Sequence, residues 1–407
     1  MSAKAREHTP DILSAPIMTT PRRVAVVTSS RADYGHLQWL LHDLREHPAI
    51  DVKIVAFGPH LSPEFGRTVD EIVRDGFVVD EAIESLVSSD TDVGMAKSLG
   101  LATLGLADAF ARLRPALIVV TADRYEMLAA ASVALTLRIP IAHIEGGDRS
   151  EGAIDDAVRN ALTKLSHLHF TTTDAARQRV VAMGEEPWRV HRVGALSLDQ
   201  LTRGELPLAT QVLARMGAQP NATPLFIVAC HPETLQENTT GWLDQMMAAL
   251  GRLSGQIVFC FPNADAGSRA VIQRAQAFAA SRADARVVVN LPAREYWSLL
   301  SAADALIGNS SSGVMEAASL HKPAINIGTR QDGREHGPNV IDVPADADAI
   351  IGALERVLTP DFQQMLAQVV NPYGDGHATE RIVQVLTSAS LGQGLLVKRA
   401  PLLDASR

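Results

Sequence analysis

The stretch A-L-I-V-V-T-A-D-R-Y-E-M-L-A-A-A-S-V-A-L-T-L-R-I-P-I-A-H-I-E-G-G-D (116–148) decides the fold. Its opening run is apolar without alternation, the mark of a strand buried on both faces. Arg124–Leu137 predicts a helix, and its Ala-rich part from Met127 falls short of the roughly 18 apolar residues that a membrane span needs. P-I-A-H-I (140–144) then repeats the strand pattern. Strand, helix, strand is the signature of a parallel sheet covered by helices. Each strand also leads into an acid, Asp123 after the first and Glu145 after the second.

The same alternation extends in both directions. R-V-A-V-V-T (23–28), D-V-K-I-V-A-F (51–57) and H-L-H-F-T-T (167–172) are further strands, with helices over Tyr34–Glu46, Ala107–Arg114 and Ile154–Leu165. A polar stretch containing Gly204, Pro207, Gly217, Pro220 and Pro224 interrupts the series. It restarts with L-F-I-V-A (225–229), Q-I-V-F-C (256–260), R-V-V-V-N (286–290), A-L-I-G (305–308) and P-A-I-N-I-G (323–328). The pattern predicts an α/β protein of two doubly wound, Rossmann-like domains facing a central cleft, over residues 22–200 and 201–372. Residues 1–21 read as a flexible tail, 373–390 as a C-terminal helix packing back on the first domain, and 391–407 as a second tail.

Composition narrows the functional classes. The 407 residues are 46% apolar and 20% charged, as in a globular protein. The formal net charge of −9 argues against sequence-independent nucleic-acid binding, which needs a basic face. The two cysteines, Cys230 and Cys260, are too few for a disulfide framework or a cysteine zinc site; both end apolar runs and read as buried and inert. The first twenty residues lack the apolar core of a signal peptide, so a cytoplasmic location is expected.

Ligands bind outside the carboxyl ends of the strands in such sheets, so the residues there carry the functional reading. S-S-R-A-D-Y-G (29–35) follows the first strand, without the G-x-G-x-x-G of a dinucleotide site; no P-loop motif occurs either. Arg31 is placed instead to meet phosphate oxygens, or to pair with Asp33. Asp123, Glu145 and Asp155 converge on one sheet edge and suit acid–base chemistry, although Asp155 or Asp156 can also serve as a helix cap. In the second half His231 follows a strand, and F-P-N-A-D-A-G-S-R (261–269) offers Asn263 and Asp265 in a polar turn. G-N-S-S-S-G-V-M-E (308–316) brings Ser310, Ser311, Ser312 and Gly313 to a helix start, a set of anion donors, with Glu316 close behind to grip a ribose diol. Arg330 and Arg334 stand near the same edge, after P-A-I-N-I-G.

Together these segments resemble the hydrolysing UDP-N-acetylglucosamine 2-epimerases of sialic-acid biosynthesis. The matching residues include S-R-A-D-Y-G (30–35), D-R-Y-E (123–126), H-I-E-G-G-D (143–148), H-P-E-T (231–234), G-N-S-S-S-G-V-M-E (308–316) and N-P-Y-G-D-G (371–376), in order along nearly the whole chain. The resemblance implies a glycosyltransferase-B-type fold, with Asp123, Glu145 and Asp155 as the catalytic carboxylates. It implies that His231 and Arg31 meet the diphosphate or assist its departure, His231 counting as catalytic, that the three serines hold phosphate, that Glu316 holds the ribose, and that Arg330 supports the nucleotide end. His36 departs from the family pattern, which has Lys or a small apolar residue there.

The expected reaction releases UDP by anti-elimination to a 2-acetamidoglucal, which water then hydrates to N-acetylmannosamine. It calls for no cofactor and no metal. A UDP-sugar and further copies of the chain are the expected partners, with neither nucleic acid nor membrane among them. The same chemistry on UDP-2,4-diacetamido-2,4,6-trideoxyglucose and a retaining glycosyltransferase are the competing readings.

Overall fold

In the computed structural model, which describes residues 20–87, 91–149, 154–219, 224–231, 241–261, 268–289 and 291–399, the apolar runs fold into two parallel sheets. The first contains β1 (Arg22–Thr28), β2 (Ile50–Phe57), β3 (Glu81–Ile83), β4 (Leu117–Thr121), β5 (Ile141–Ile144), β6 (Leu168–Thr171) and β7 (Val190–Arg192), in the order 3-2-1-4-5-6-7. The second contains β8 (Leu225–Ala229), β9 (Gln256–Phe261), β10 (Ala285–Val289), β11 (Ala305–Gly308), β12 (Ala324–Ile327) and β13 (Val340–Val343), in the order 10-9-8-11-12-13.

Burial on both faces explains the unbroken apolar runs. In β1, Val24 and Val26 pack with Leu37 and Leu41 on one side of the sheet, whereas Ala25 and Val27 pack with Leu106 and Met127 on the other. Phe226 and Val228 face one side of the second sheet, and Leu225 and Ile227 face the other. The edge strands β3 and β7, three residues each, are too short to stand out in the sequence, and β13 is only partly buried, so its run V-I-D-V is broken by an acid. The predicted helix at Ala107–Arg114 is the end of a longer one, Asp92–Leu113, whose pattern is diluted by three glycines. Gly105 lets that helix close on β3: a Cβ there would lie 2.3 Å from the Ile83 side chain.

The chain crosses between the domains twice. Near the first crossing Asp199, fully buried, accepts hydrogen bonds from the amides of Ala378 (2.9 Å) and Thr379 (2.7 Å) at the start of the helix Ala378–Ser388. That helix packs on the helix Arg31–Glu46, and its Ile382 and Leu386 join the first domain's core. The following residues lie across the same domain, where buried Arg189 donates to the carbonyls of Leu395 (2.7 Å) and Val397 (2.8 Å). No helix among the described residues is long and apolar enough to cross a membrane.

Candidate active site

Strand order reverses between β1 and β4 in one sheet and between β8 and β11 in the other. A doubly wound sheet opens a crevice at such a point, and the chosen residues flank both.

On the first domain's side the backbone itself is strained. Ala122 (φ 56°) and Glu145 (φ 65°) both adopt the left-handed conformation that costs a non-glycine residue about 1 kcal/mol or more. Hydrogen bonds hold the two turns. Ala122 N donates to Ile144 O (3.0 Å), the Nε2 of buried His143 donates to Ala122 O (2.9 Å), and Glu145 N donates to Phe170 O (2.8 Å). Burial pushes the His143 imidazole down to about 3, so it is a neutral strut.

Arg159, buried on the helix Ile154–Leu165, is the centre of the acidic group. It binds the Asp123 carboxylate through Nη2, donates to Asp148 O at 2.8 Å, and lies 3.7 Å from Asp156. Asp156 also accepts from Asn160 (3.2 Å), whereas burial and then the Asp123 charge raise the Asp155 carboxyl. Both members of the pair thus adjoin Asp123, Asp156 through the shared Arg159 and Asp155 through the Asp123 charge.

Glu145 is buried 3.3 Å from Nδ1 of His36. Burial works against its ionisation, but the hydrogen bond and charge of His36, with Arg159 and Arg334, hold its carboxyl below the usual range. Burial likewise disfavours the imidazolium, yet Glu145, Glu316 and Asp33 raise His36 to about 9. Asp148 behaves in the opposite way to Glu145. Burial pushes its carboxyl up to about 6 despite a 2.5 Å hydrogen bond from Thr172.

Arg31 opens the helix Arg31–Glu46, half-exposed, 3.8 Å from Glu71. Asp33 takes a different role from the pairing considered above: it caps the helix, accepting from Ser29 N (3.0 Å), Ser29 Oγ (2.7 Å) and Ser30 N (3.0 Å).

The facing edge of the second domain is built on Asn309. Its side chain accepts from His231 N (2.7 Å) and donates to His231 O (3.0 Å), joining the ends of β8 and β11. Its carbonyl accepts from Arg330 (2.8 Å) and Gln331 (2.9 Å), which ties in the loop after β12. Burial, and then Arg330, push the His231 imidazole down to about 4, leaving it neutral.

The serines divide their tasks. Ser310 caps the short helix Ser311–Met315, and the Ser312 hydroxyl pairs with that of Tyr296. Gly313 lies against the sheet, where a Cβ would meet Ala324 at 3.1 Å. Glu316 is buried, which raises its carboxyl against the pull of Ser197, His36 and Arg334. Arg334 reaches across to the Arg149 carbonyl (3.3 Å), so the two edges meet around the acidic group. Asn263 and Asp265 lie outside the described residues. Cys230 and Cys260 are buried, their thiols pushed up to about 12 by burial, and they are inert as the sequence predicts.

The strand-end reading missed Arg159, Asp148 and Asn309. Arg159 had a signal, since it stands four residues after Asp155 on the same helix face. Asn309 had none, because it works through its neighbours' backbone.

Two parallel-sheet domains meeting at their carboxyl edges define a glycosyltransferase-B-type protein. The chain belongs to the UDP-N-acetylglucosamine 2-epimerase family, whose model matches residues 42–387. It is 34% identical to the hydrolysing UDP-N,N'-diacetylbacillosamine 2-epimerase of Legionella pneumophila, over 93% of this chain and 98% of the relative. It is also 34% identical to the hydrolysing GDP/UDP-N,N'-diacetylbacillosamine 2-epimerase of Campylobacter jejuni, over 84% of this chain and 89% of the relative. Identity to the UDP-N-acetylglucosamine 2-epimerase of Neisseria meningitidis is 30%, over 82% of this chain and 87% of the relative. The fold matches the crystal structure of UDP-GlcNAc 2-epimerase from Neisseria meningitidis bound to UDP-GlcNAc with a TM-score of 0.75, at 19% identity, covering 90% of this chain and all (100%) of that one.

Proposed function

We propose that this protein is a hydrolysing 2-epimerase of an N-acetylated UDP-hexose, acting on UDP-N,N'-diacetylbacillosamine, the UDP-2,4-diacetamido-2,4,6-trideoxyglucose of the competing reading. The observation that carries the chemistry is the gathering of acids at the strand ends, Asp123 bound to Arg159 and Glu145 and Asp155 within reach of its charge, opposite an edge of donors that holds Asn309, His231 and Arg330. The relatives at 34% identity support the diacetylated substrate. UDP-N-acetylglucosamine is the second reading, supported by the 30% identical relative.

The sugar's C2 hydrogen has no neighbouring carbonyl and is barely acidic. Departure of UDP makes C1 electron-poor and acidifies that hydrogen, so a carboxylate can take it as a proton. The C1–O bond breaks with its electron pair going to the diphosphate, and a C1–C2 double bond forms. Water then adds its oxygen to C1, while a proton returns to C2 on the opposite face. The sum is UDP-sugar plus water giving UDP plus the free 2-epimer. The scheme needs carboxylates in different protonation states, and Glu145, held ionised, beside the raised Asp148 and Asp155 is suited to supply them. Arg31, Arg330, Ser311 and the amides around Ser310–Gly313 would receive the leaving diphosphate, with neutral His231 beside them. Glu316 would hold the ribose.

Incubation with each UDP-sugar and no acceptor tests the proposal. Release of UDP with a free manno-configured sugar is expected; UDP release that waits for an added acceptor would point to a glycosyltransferase instead. A second copy of the chain is expected to cover the exposed Leu101 and Leu104 of the helix Asp92–Leu113 and the exposed Leu135 and Leu137 beside it. Light scattering that finds a monomer would refute that assembly.

A further inference from the structure

His36 stands in the second turn of the helix Arg31–Glu46, between the acids of the two domains. Its Nδ1 meets Glu145 Oε1 at 3.3 Å, and the charge of Glu316 reaches it from the second domain. Among the described residues this is the one side-chain hydrogen bond that the Glu145 carboxylate makes. The Glu145 backbone is meanwhile fixed by its amide bond to Phe170 and its left-handed φ. Where the carboxylate points therefore depends on what grips its end.

We propose that His36 is a positioning residue that aims the Glu145 carboxylate into the cleft and keeps it available as the base for C2, bracing it against Glu316 of the facing domain. The proposal rests on the epimerase reading above. Its physical basis is the charge around Glu145. Glu316 from the second domain and Asp148 three residues on are both acids, and burial adds to their opposition to a second negative charge. Arg159 and Arg334 offset this from the sides, and His36 does so by direct contact. A cation there pulls both carboxyls downward, Glu145 through a hydrogen bond as well as charge and Glu316 through charge alone, so Glu145 ends below its ordinary range while burial keeps Glu316 above its own, a separation that lets neighbouring acids take different parts in one reaction. Asp33, on the same helix, also favours the charged imidazole.

The test compares His36→Gln, which keeps a donor without the charge, with His36→Lys, which keeps the charge without the ring. In kcat/KM against pH, for UDP-N,N'-diacetylbacillosamine and UDP-N-acetylglucosamine separately, the acidic limb should move up by roughly one pH unit in H36Q. In H36K it should return toward the wild-type position. A limb that stays in place in H36Q would overturn the proposal, since a purely structural role changes the folded fraction and not the limb. A second measurement needs no turnover. The His36 imidazole, followed by NMR, should titrate well above an ordinary histidine, and Glu145→Gln should bring it down; an unchanged titration would also overturn the pairing. A wild type that releases UDP from neither sugar would sink the epimerase reading, and the NMR comparison would still decide whether His36 braces Glu145.

Discussion

The first domain buries carboxylates in two places, and the two are built in opposite ways. Glu185, fully buried behind β6, receives His169 Nε2 at 3.1 Å, Lys164 Nζ at 2.5 Å and Lys398 Nζ at 2.7 Å. Burial opposes its charge, but these three donors hold its carboxyl down to about 2. At the strand ends the acids crowd one another instead, and their environments pull them apart, Glu145 downward, Asp148 and Asp155 upward. A buried charge surrounded by donors is cement, whereas acids separated in this way can take and give protons near neutral pH. Ionisable residues become informative when their partners fail to settle them.

The largest effect separates the clusters by function. Asp123→Asn, Glu145→Gln and Asp155→Asn keep shape and remove a base, and at least two of them should lose about 100-fold or more in kcat while staying folded. Full turnover in all three would break the assignment. Glu185→Gln should do the reverse. Leaving its lysines without their partner should cost about 3 kcal/mol in chemical denaturation, with near wild-type kcat in the folded protein.

The pH dependence sharpens the contrast. Glu185 is depressed in the folded state, so its stabilisation is complete above the ordinary 4.5 and is lost as the pH falls toward about 2. Hydrogen exchange should then show the backbone at 391–399 loosening first, because Lys398 joins it to Glu185. Asp148 has the opposite sign. Its folded value of about 6 lies above the ordinary 3.8, so it costs stability as the pH rises through that window, and Asp148→Asn should flatten that part of the stability curve. The smallest effect concerns the facing edge. Arg31→Ala should weaken UDP binding about tenfold and Ser311→Ala a few-fold in calorimetry, as loss of a charged and a neutral hydrogen bond predicts. Unchanged affinity in both would remove them from the nucleotide site.

Much of this was legible before any coordinates. The buried strands announce themselves because both faces are covered, and the rule that ligands lie at the carboxyl ends points to Asp123, Glu145, Asp155 and His231, which the fold does bring to those ends. What stayed hidden is what depends on the third dimension. Nothing near 185 in the sequence says that Glu185 meets Lys398, since the two stand 213 positions apart. The end of the chain read as a tail for the same reason, although Arg189 and Lys398 hold residues up to 399 against the first domain. Asp33 suits either pairing with Arg31 or capping in the sequence, and the geometry gives it to the helix N-terminus. Ser312 counted as a phosphate donor on sequence grounds, yet its hydroxyl faces Tyr296, sixteen residues earlier.

The central claim is that the proton at C2 is exchanged. Turnover of UDP-N,N'-diacetylbacillosamine or UDP-N-acetylglucosamine in D₂O, with the free sugar examined by NMR and mass spectrometry, tests it directly. Elimination followed by hydration predicts a manno-configured product carrying deuterium at C2. A product that keeps its original C2 hydrogen and the gluco configuration would mean that water attacked C1 directly, and would contradict the account.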